Sequence, residues 1–74
     1  MDIAKNLSYN LSELMGRKGI MQNEMAEVCN VSQIFISYVI NGHKVPSVEV
    51  LKKMADRLGT TIDALISEPK KGKR

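Results

Sequence analysis

MQNEMAEVCNVSQIFISYVING, residues 21–42, holds two short apolar-rich segments separated by a three-residue hinge. In the first, Met25, Ala26, Val28 and Cys29 can share one inward face, which predicts a helix from about Met21 to Cys29. Asn30 sits where the hinge needs a left-handed backbone, a conformation that Asn tolerates best after Gly. Val31 then anchors the hinge in the core. Ser32 is a helix-starting residue: its side chain can accept from the free N–H groups of the first turn, worth about 1 kcal/mol against Ala. A helix from Ser32 to about Ile40 follows, with Ile36 and Val39 turned inward, and Asn41-Gly42 ends it. Between Ser32 and Gly42 there is no Lys, Arg, Asp or Glu, yet Gln33, Ser37 and Tyr38 are polar and face outward. An outer surface with hydrogen-bonding groups but no charge asks for an explanation.

On either side of this pair the pattern stays helical. Ile3, Leu7, Leu11, Leu14 and Met15 recur at spacings of three and four, so a first helix buries that face. Glu13 and Arg17 pair across its exposed side, and Gly19 stops it. After the loop HKVP, Ser47 caps a fourth helix with Val48, Leu51, Met54, Ala55 and Leu58 inward. Glu49–Lys53 and Lys52–Asp56 are i,i+4 pairs on its wet side, where Arg57 also belongs. Gly59 closes it. Thr61 with Asp63 starts a final short helix carrying Ile62, Leu65 and Ile66. No segment alternates with period two, so the class is all-α with five helices. Residues 1–67 make the folded domain, and 68–74, within SEPKKGKR, are a flexible basic tail with nothing to bury.

Composition narrows the functional classes. Seventy-four residues make one small domain, and an apolar share of 43% is ordinary for a folded one. No apolar run approaches the roughly 18 residues of a membrane span. MDIAKNLSYNLSEL is too polar for a signal peptide. The single Cys29 forms no internal disulfide and no cysteine-based zinc site. A cytoplasmic protein fits all of this. Net charge is +3, but Lys70, Lys71, Lys73 and Arg74 sit in the last five positions, and the rest has seven basic residues against eight acidic. The pI of about 9.2 is therefore a property of the tail.

Catalysis finds no support. The only histidine, His43, lies in a loop, neither H-E-x-x-H nor C-x-x-C occurs, and no Gly-rich phosphate loop opens a helix. We expect no enzyme, no cofactor and no metal. Met15, Met21, Met25 and Met54 fall on apolar faces as core filler, and Cys29 reads as a small buried hydrophobe.

Residues 21–40 have the length and spacing of a helix-turn-helix, whose second helix enters the major groove of DNA. GIMQNEMAEVCNVSQIFISYVINGHKVPS resembles the DNA-binding domain of the lambda-repressor/Cro family, the Xre-like regulators. The matching residues, in register without gaps, are Gly19, Gln22, Glu24, Ala26, Glu27, Val31, Ser32, Ile36, Ser37, Asn41, Gly42, Pro46 and Ser47. LKKMADRLGTTIDALI is similar to the family's fourth and fifth helices, so the likeness covers nearly residues 3 to 66.

The resemblance implies a division of labour. Gln22 would meet a phosphate and brace Gln33, which would face a base edge; a two-pronged Gln–adenine pair discriminates by about 1–3 kcal/mol. Ser32, Ile34, Ser37 and Tyr38 match positions that approach bases or backbone. Asn41, His43 and Lys44 match the loop that grips phosphates. The chain also departs from the pattern: Met21 replaces a Ser or Thr cap, Ile34 a small or polar residue, Tyr38 an Arg or Lys, and Ile40 a Glu. A chargeless helix can still read bases through hydrogen bonds and methyl contacts, and Ile with Gln suits an A·T-containing site.

The expected partner is double-stranded DNA. The implied function is a sequence-specific transcriptional regulator, a repressor, bound as a homodimer to an inverted repeat with Ile62, Leu65 and Ile66 as dimer surface. The short chain leaves no room for a ligand-sensing domain. The alternative is a protein-interaction module or antitoxin-like protein on the same scaffold, holding a protein partner through Ile34, Phe35 and Tyr38.

Overall fold

The computed structural model describes residues 2–69; Lys70, Lys71, Lys73 and Arg74 of the basic tail lie outside the described residues. Five helices follow one another: α1 (Ile3–Lys18), α2 (Gln22–Cys29), α3 (Gln33–Ile40), α4 (Val48–Leu58) and α5 (Ile62–Ile66). The protein is all-α, as the periodicity predicts.

Each helix begins and ends for a local reason. Asp2, Ser32, Ser47 and Thr61 accept from the backbone N–H three residues on, at 3.0–3.3 Å, satisfying donors that the helix itself cannot. α2 is the exception: Met21 occupies the cap position and offers no side-chain acceptor. α1, α2, α3 and α4 all stop with the same pair of backbone bonds. In α2, Val31 N–H reaches Ala26 O (3.0 Å) and Asn30 N–H reaches Glu27 O (3.2 Å), the Schellman arrangement. This closure needs a left-handed residue, supplied by Asn30 at φ 58°, the only non-glycine residue with positive φ among those described. α3 closes the same way, one residue later than α2 does. His43 N–H donates to Tyr38 O (2.8 Å), with Gly42 at φ 80° making the turn.

The core is built from Leu7, Leu11, Met15, Ile20, Met25, Ala26, Cys29, Ile36, Val39, Leu51, Met54, Ala55, Leu58 and Leu65. α1 packs on α5 and α3, α2 on α3 and α4, and α4 on α5. Val31 is half-buried against the core, as the hinge requires. Several residues assigned inward lie at helix ends or edges and are exposed: Ile3 and Val28, and Val48 at 71%. Val48 follows its cap directly, as the first residue of α4. Met21 is likewise exposed and is not core filler, while Met15, Met25 and Met54 are buried.

Charged pairs divide in the same way. Glu13–Arg17 (3.5 Å) and Lys52–Asp56 (2.8 Å) form on exposed helix surface. Glu49–Lys53 does not form among the described residues; Lys53 is half-buried, and its charge acts on Cys29 of α2. Arg57 is not merely solvated: it bonds Glu24 at 2.5 Å and ties α4 to α2. At about 40% exposure at both ends, that pair contributes on the order of 0–1 kcal/mol.

The residues of the expected dimer surface contribute to the core to different degrees, with Ile62 and Ile66 only half-buried. Leu65 is fully buried, and Ile62 and Ile66 pack against the core. α5 has only five residues, so it needs those contacts to persist at all.

Candidate nucleic-acid interface

α3 sorts its side chains by angle. At about 100° per residue, Gln33, Ser37, Asn41, Ile34 and Tyr38 fall within an arc of roughly 140°. Phe35, Ile36 and Val39 lie on the other side with Ile40 at its edge beside Gln33; Ile36 and Val39 are fully buried, and Phe35 and Ile40 pack against the core. Gln33 and Ile34 are exposed and Ser37 is half-buried; Ile34 shows 67% of its surface and Tyr38 45%. The outward arc carries no charge.

The polar groups of this arc have distinct local duties. Ser32 Oγ accepts from Phe35 N–H (3.0 Å), so it caps α3 first. Asn41 Nδ2 donates to Ser37 O (2.9 Å) and lies 3.4 Å from Ser37 Oγ, folding its amide back over the last turn. Gln33 makes no side-chain hydrogen bond among the described residues, and its amide is open to a ligand. Gln22, the first residue of α2, is half-buried; no hydrogen bond joins it to Gln33 among those residues, so the expected brace is not formed here.

Beyond α3 the chain turns at Gly42 into an exposed loop. His43 stacks edge-on against Tyr38, with ring centroids 6.4 Å apart and planes at 86°. Lys44 is exposed and forms no ion pair among the described residues. It therefore offers this end of the arc an uncompensated positive charge.

Sequence reasoning missed the residues that hold α3 in place. Ser8 of α1 donates to the carbonyl of Ile40, the last residue of α3. On the same helix, Asn6 is buried and its Nδ2 donates to Ile66 O (3.1 Å). Asn10 Nδ2 sits 2.8 Å from Leu65 O, 2.9 Å from Ser67 O and 3.2 Å from Ala64 O. Three polar side chains of α1 thus satisfy carbonyls left over at the C-terminal ends of α3 and α5. The signal in the sequence was two asparagines four apart beside an apolar stripe.

Cys29 does no chemistry in this arrangement. It is buried, with Sγ 3.8 Å from Met25 Sδ, and desolvation pushes its thiol pKa up, partly offset by the charge of Lys53. No described helix is long and apolar enough to cross a membrane.

A helix-turn-helix family model (HTH_3) matches residues 11–65, which include all of α2, the hinge and α3. The chain belongs to this helix-turn-helix family. It is of the Xre, lambda-repressor-like kind, and the family's two central helices are α2 and α3. A solved structure, that of the hypothetical transcription factor NHTF from Neisseria, is similar with a TM-score of 0.83 and 28% identity. The match covers 92% of this chain and 78% of that one. Among curated proteins no sequence matches. Family and structural neighbour together support a DNA-binding transcription regulator, a non-enzymatic class.

Proposed function

We propose that the protein is a sequence-specific transcriptional repressor of the cytoplasm that reads the major groove with α3, as a homodimer on an inverted repeat. The observation that carries this reading is the outward arc of α3, on which the Gln33 amide stands exposed and unengaged. An α-helix with its side chains is about 10–12 Å across, which suits a major groove about 12 Å wide. Gln33 is the base-reading residue, with Ser32, Ile34, Ser37 and Tyr38 beside it. Asn41, His43 and Lys44 grip phosphates at one end. Gln22 does so at the other, where α2 lacks a side-chain cap and its first N–H groups are left for an anion.

A dimer follows from information content. One such helix reads only a few base pairs, and two copies with half-sites about 34 Å apart multiply the discrimination. Repression is the simplest output, because occupancy alone blocks competing proteins. Enrichment of bound duplexes from a random pool tests the reading. It predicts an inverted repeat, with binding lost when Gln33 and Lys44 are both changed to Ala. Absence of any complex with duplex DNA, even in dilute buffer, defeats it.

The second reading is a protein-interaction module, favoured by the exposed, chargeless Ile34 and Tyr38. It predicts a partner complex unaffected by Gln33→Ala and Lys44→Ala, with no DNA shift.

A further inference from the structure

Polar contacts on α1 fix the direction in which the chain leaves the domain. Asn10 Nδ2 donates to the carbonyls of Leu65 and Ser67, and Asn6 Nδ2 to that of Ile66. The next two residues, Glu68 and Pro69, line a cleft together with Lys5, Asn6 and Tyr9. On the same helix, Ser8 donates to Ile40 O at the end of α3 and stands beside Gly42. At about 100° per residue, Lys5 lies about 60° from Ser8 around α1, Tyr9 about 100°, Asn6 about 160° and Asn10 about 200°, all in one sense. The chain from Leu65 to Pro69 therefore passes over the outward side of α1, toward the turn that leaves α3. A quarter turn over the surface of a helix is roughly 10–15 Å, and five extended residues span about 17 Å.

Charge gives this direction its meaning. Four of the five residues after Pro69 are basic: Lys70, Lys71, Lys73 and Arg74. Without them the chain has seven basic residues against eight acidic, and α3 itself carries no charge. Non-specific attraction to a duplex comes from cations placed on its phosphates. Lys44, exposed just beyond Gly42, is one such cation. Lys5, exposed between Ser8 and Tyr9 in angle, is a second, with Glu68 of opposite sign in the same cleft.

We propose that residues 70–74 are a phosphate-gripping arm, aimed by the Asn6 and Asn10 contacts at the DNA strand that the loop of Asn41, His43 and Lys44 holds. The arm rests on the proposed reading of DNA by α3. It carries the grip past Lys44 and gives a domain of near-zero charge its attraction for DNA.

The test compares the wild-type protein with the full chain carrying Lys70→Gln, Lys71→Gln, Lys73→Gln and Arg74→Gln together, on the duplex that wild type enriches from a random pool. The slope of log K against log salt should fall by about 0.9 for each phosphate the arm holds. With three such phosphates, wild type loses about 40-fold more affinity than the variant between 50 and 200 mM salt. Single methylphosphonates, which neutralise one phosphate each, then locate the arm. Those that weaken wild type but not the combined variant should adjoin, on one strand, those silenced by Lys44→Ala. An unchanged slope on a duplex that both proteins hold overturns the arm and leaves the reading by α3 intact. Arm-dependent phosphates scattered along the duplex, or far from those of Lys44, overturn it too, because the cations then act without aim. If wild type enriches no duplex at all, the reading by α3 fails, and the arm with it.

Discussion

The Ser8 hydroxyl of α1 donates to the carbonyl of Ile40, and so the last turn of α3 is fastened to the longest helix of the fold. A Cβ added at Gly42 would meet Ser8 Cβ at 3.8 Å, so the turn leaving α3 passes beside the same residue. One small polar side chain thereby ties the end of α3 to α1. Ser8→Ala leaves the Ile40 carbonyl without a partner in a half-buried place, and a cost of about 1–3 kcal/mol is expected. Urea unfolding of the two proteins measures it; an unchanged midpoint would show that the bond holds nothing.

Asn30 is tested by backbone geometry alone. At φ 58° it carries a steric cost that Gly would not, and Asn30→Gly is expected to change stability by only about a few tenths of a kcal/mol. Asn30→Val, with a branched Cβ in the left-handed region, should destabilise by about 1–2 kcal/mol. Thermal melts of the pair decide whether the hinge depends on conformation or on side-chain identity.

The Asn10 amide holds the end of α5 against α1, and α5 is too short to stand alone. Asn10→Ala is expected to raise amide hydrogen exchange at residues 62–67 before it affects α2 and α3. Uniform acceleration across all helices would show instead that α5 opens only with the whole domain.

Cys29 gives a pH signature. Burial favours its neutral thiol, so the folded pKa lies above the unfolded one. The stability this contributes is present at neutral pH and is lost as pH rises through the unfolded value, about 8.5, because only the unfolded chain then releases the proton. Wild type should lose stability relative to Cys29→Ala as pH rises above about 8, and its thiol should react with iodoacetamide only on unfolding. A native thiol that labels quickly at neutral pH would contradict the buried placement.

Lys44 should set the salt response. Changing it to Ala is expected to reduce the slope of log K against log salt by about 0.9 for each phosphate that the ammonium neutralises. Binding isotherms at several salt concentrations give that number, and an unaltered slope would remove Lys44 from the interface.

Much of this architecture is written in local signals. Helix stops at Gly19, Asn30, Gly42 and Gly59, and caps at Ser32, Ser47 and Thr61, are chemical necessities of the backbone and can be read one turn at a time. The inward set of α3 is equally plain, since Ile36 and Val39 lie on one side and Gln33 and Ser37 on the other. Periodicity fails at the edges: Ile3, Val28 and Val48 continue the apolar rhythm, but no neighbouring helix covers them. It also says nothing about contacts between distant polar residues. Ser8 with Ile40, Asn6 with Ile66 and Arg57 with Glu24 depend on how whole helices cross, which no window of sequence contains. For the same reason the brace between Gln22 and Gln33, which the family resemblance implies, could be checked only in three dimensions, where no bond joins them among the described residues.

Because Asn6 bonds the carbonyl of Ile66, the chain leaves the domain close to where it enters. A short Gly-Ser bridge from Ser67 back to Asp2 would therefore close a ring without bending the interior, and new ends opened in the loop before Ser47 would yield a circular permutant. Such a rearranged chain should melt in one cooperative step near the temperature of its parent; a second, earlier transition would mean that the order of the helices matters more than their neighbourhood.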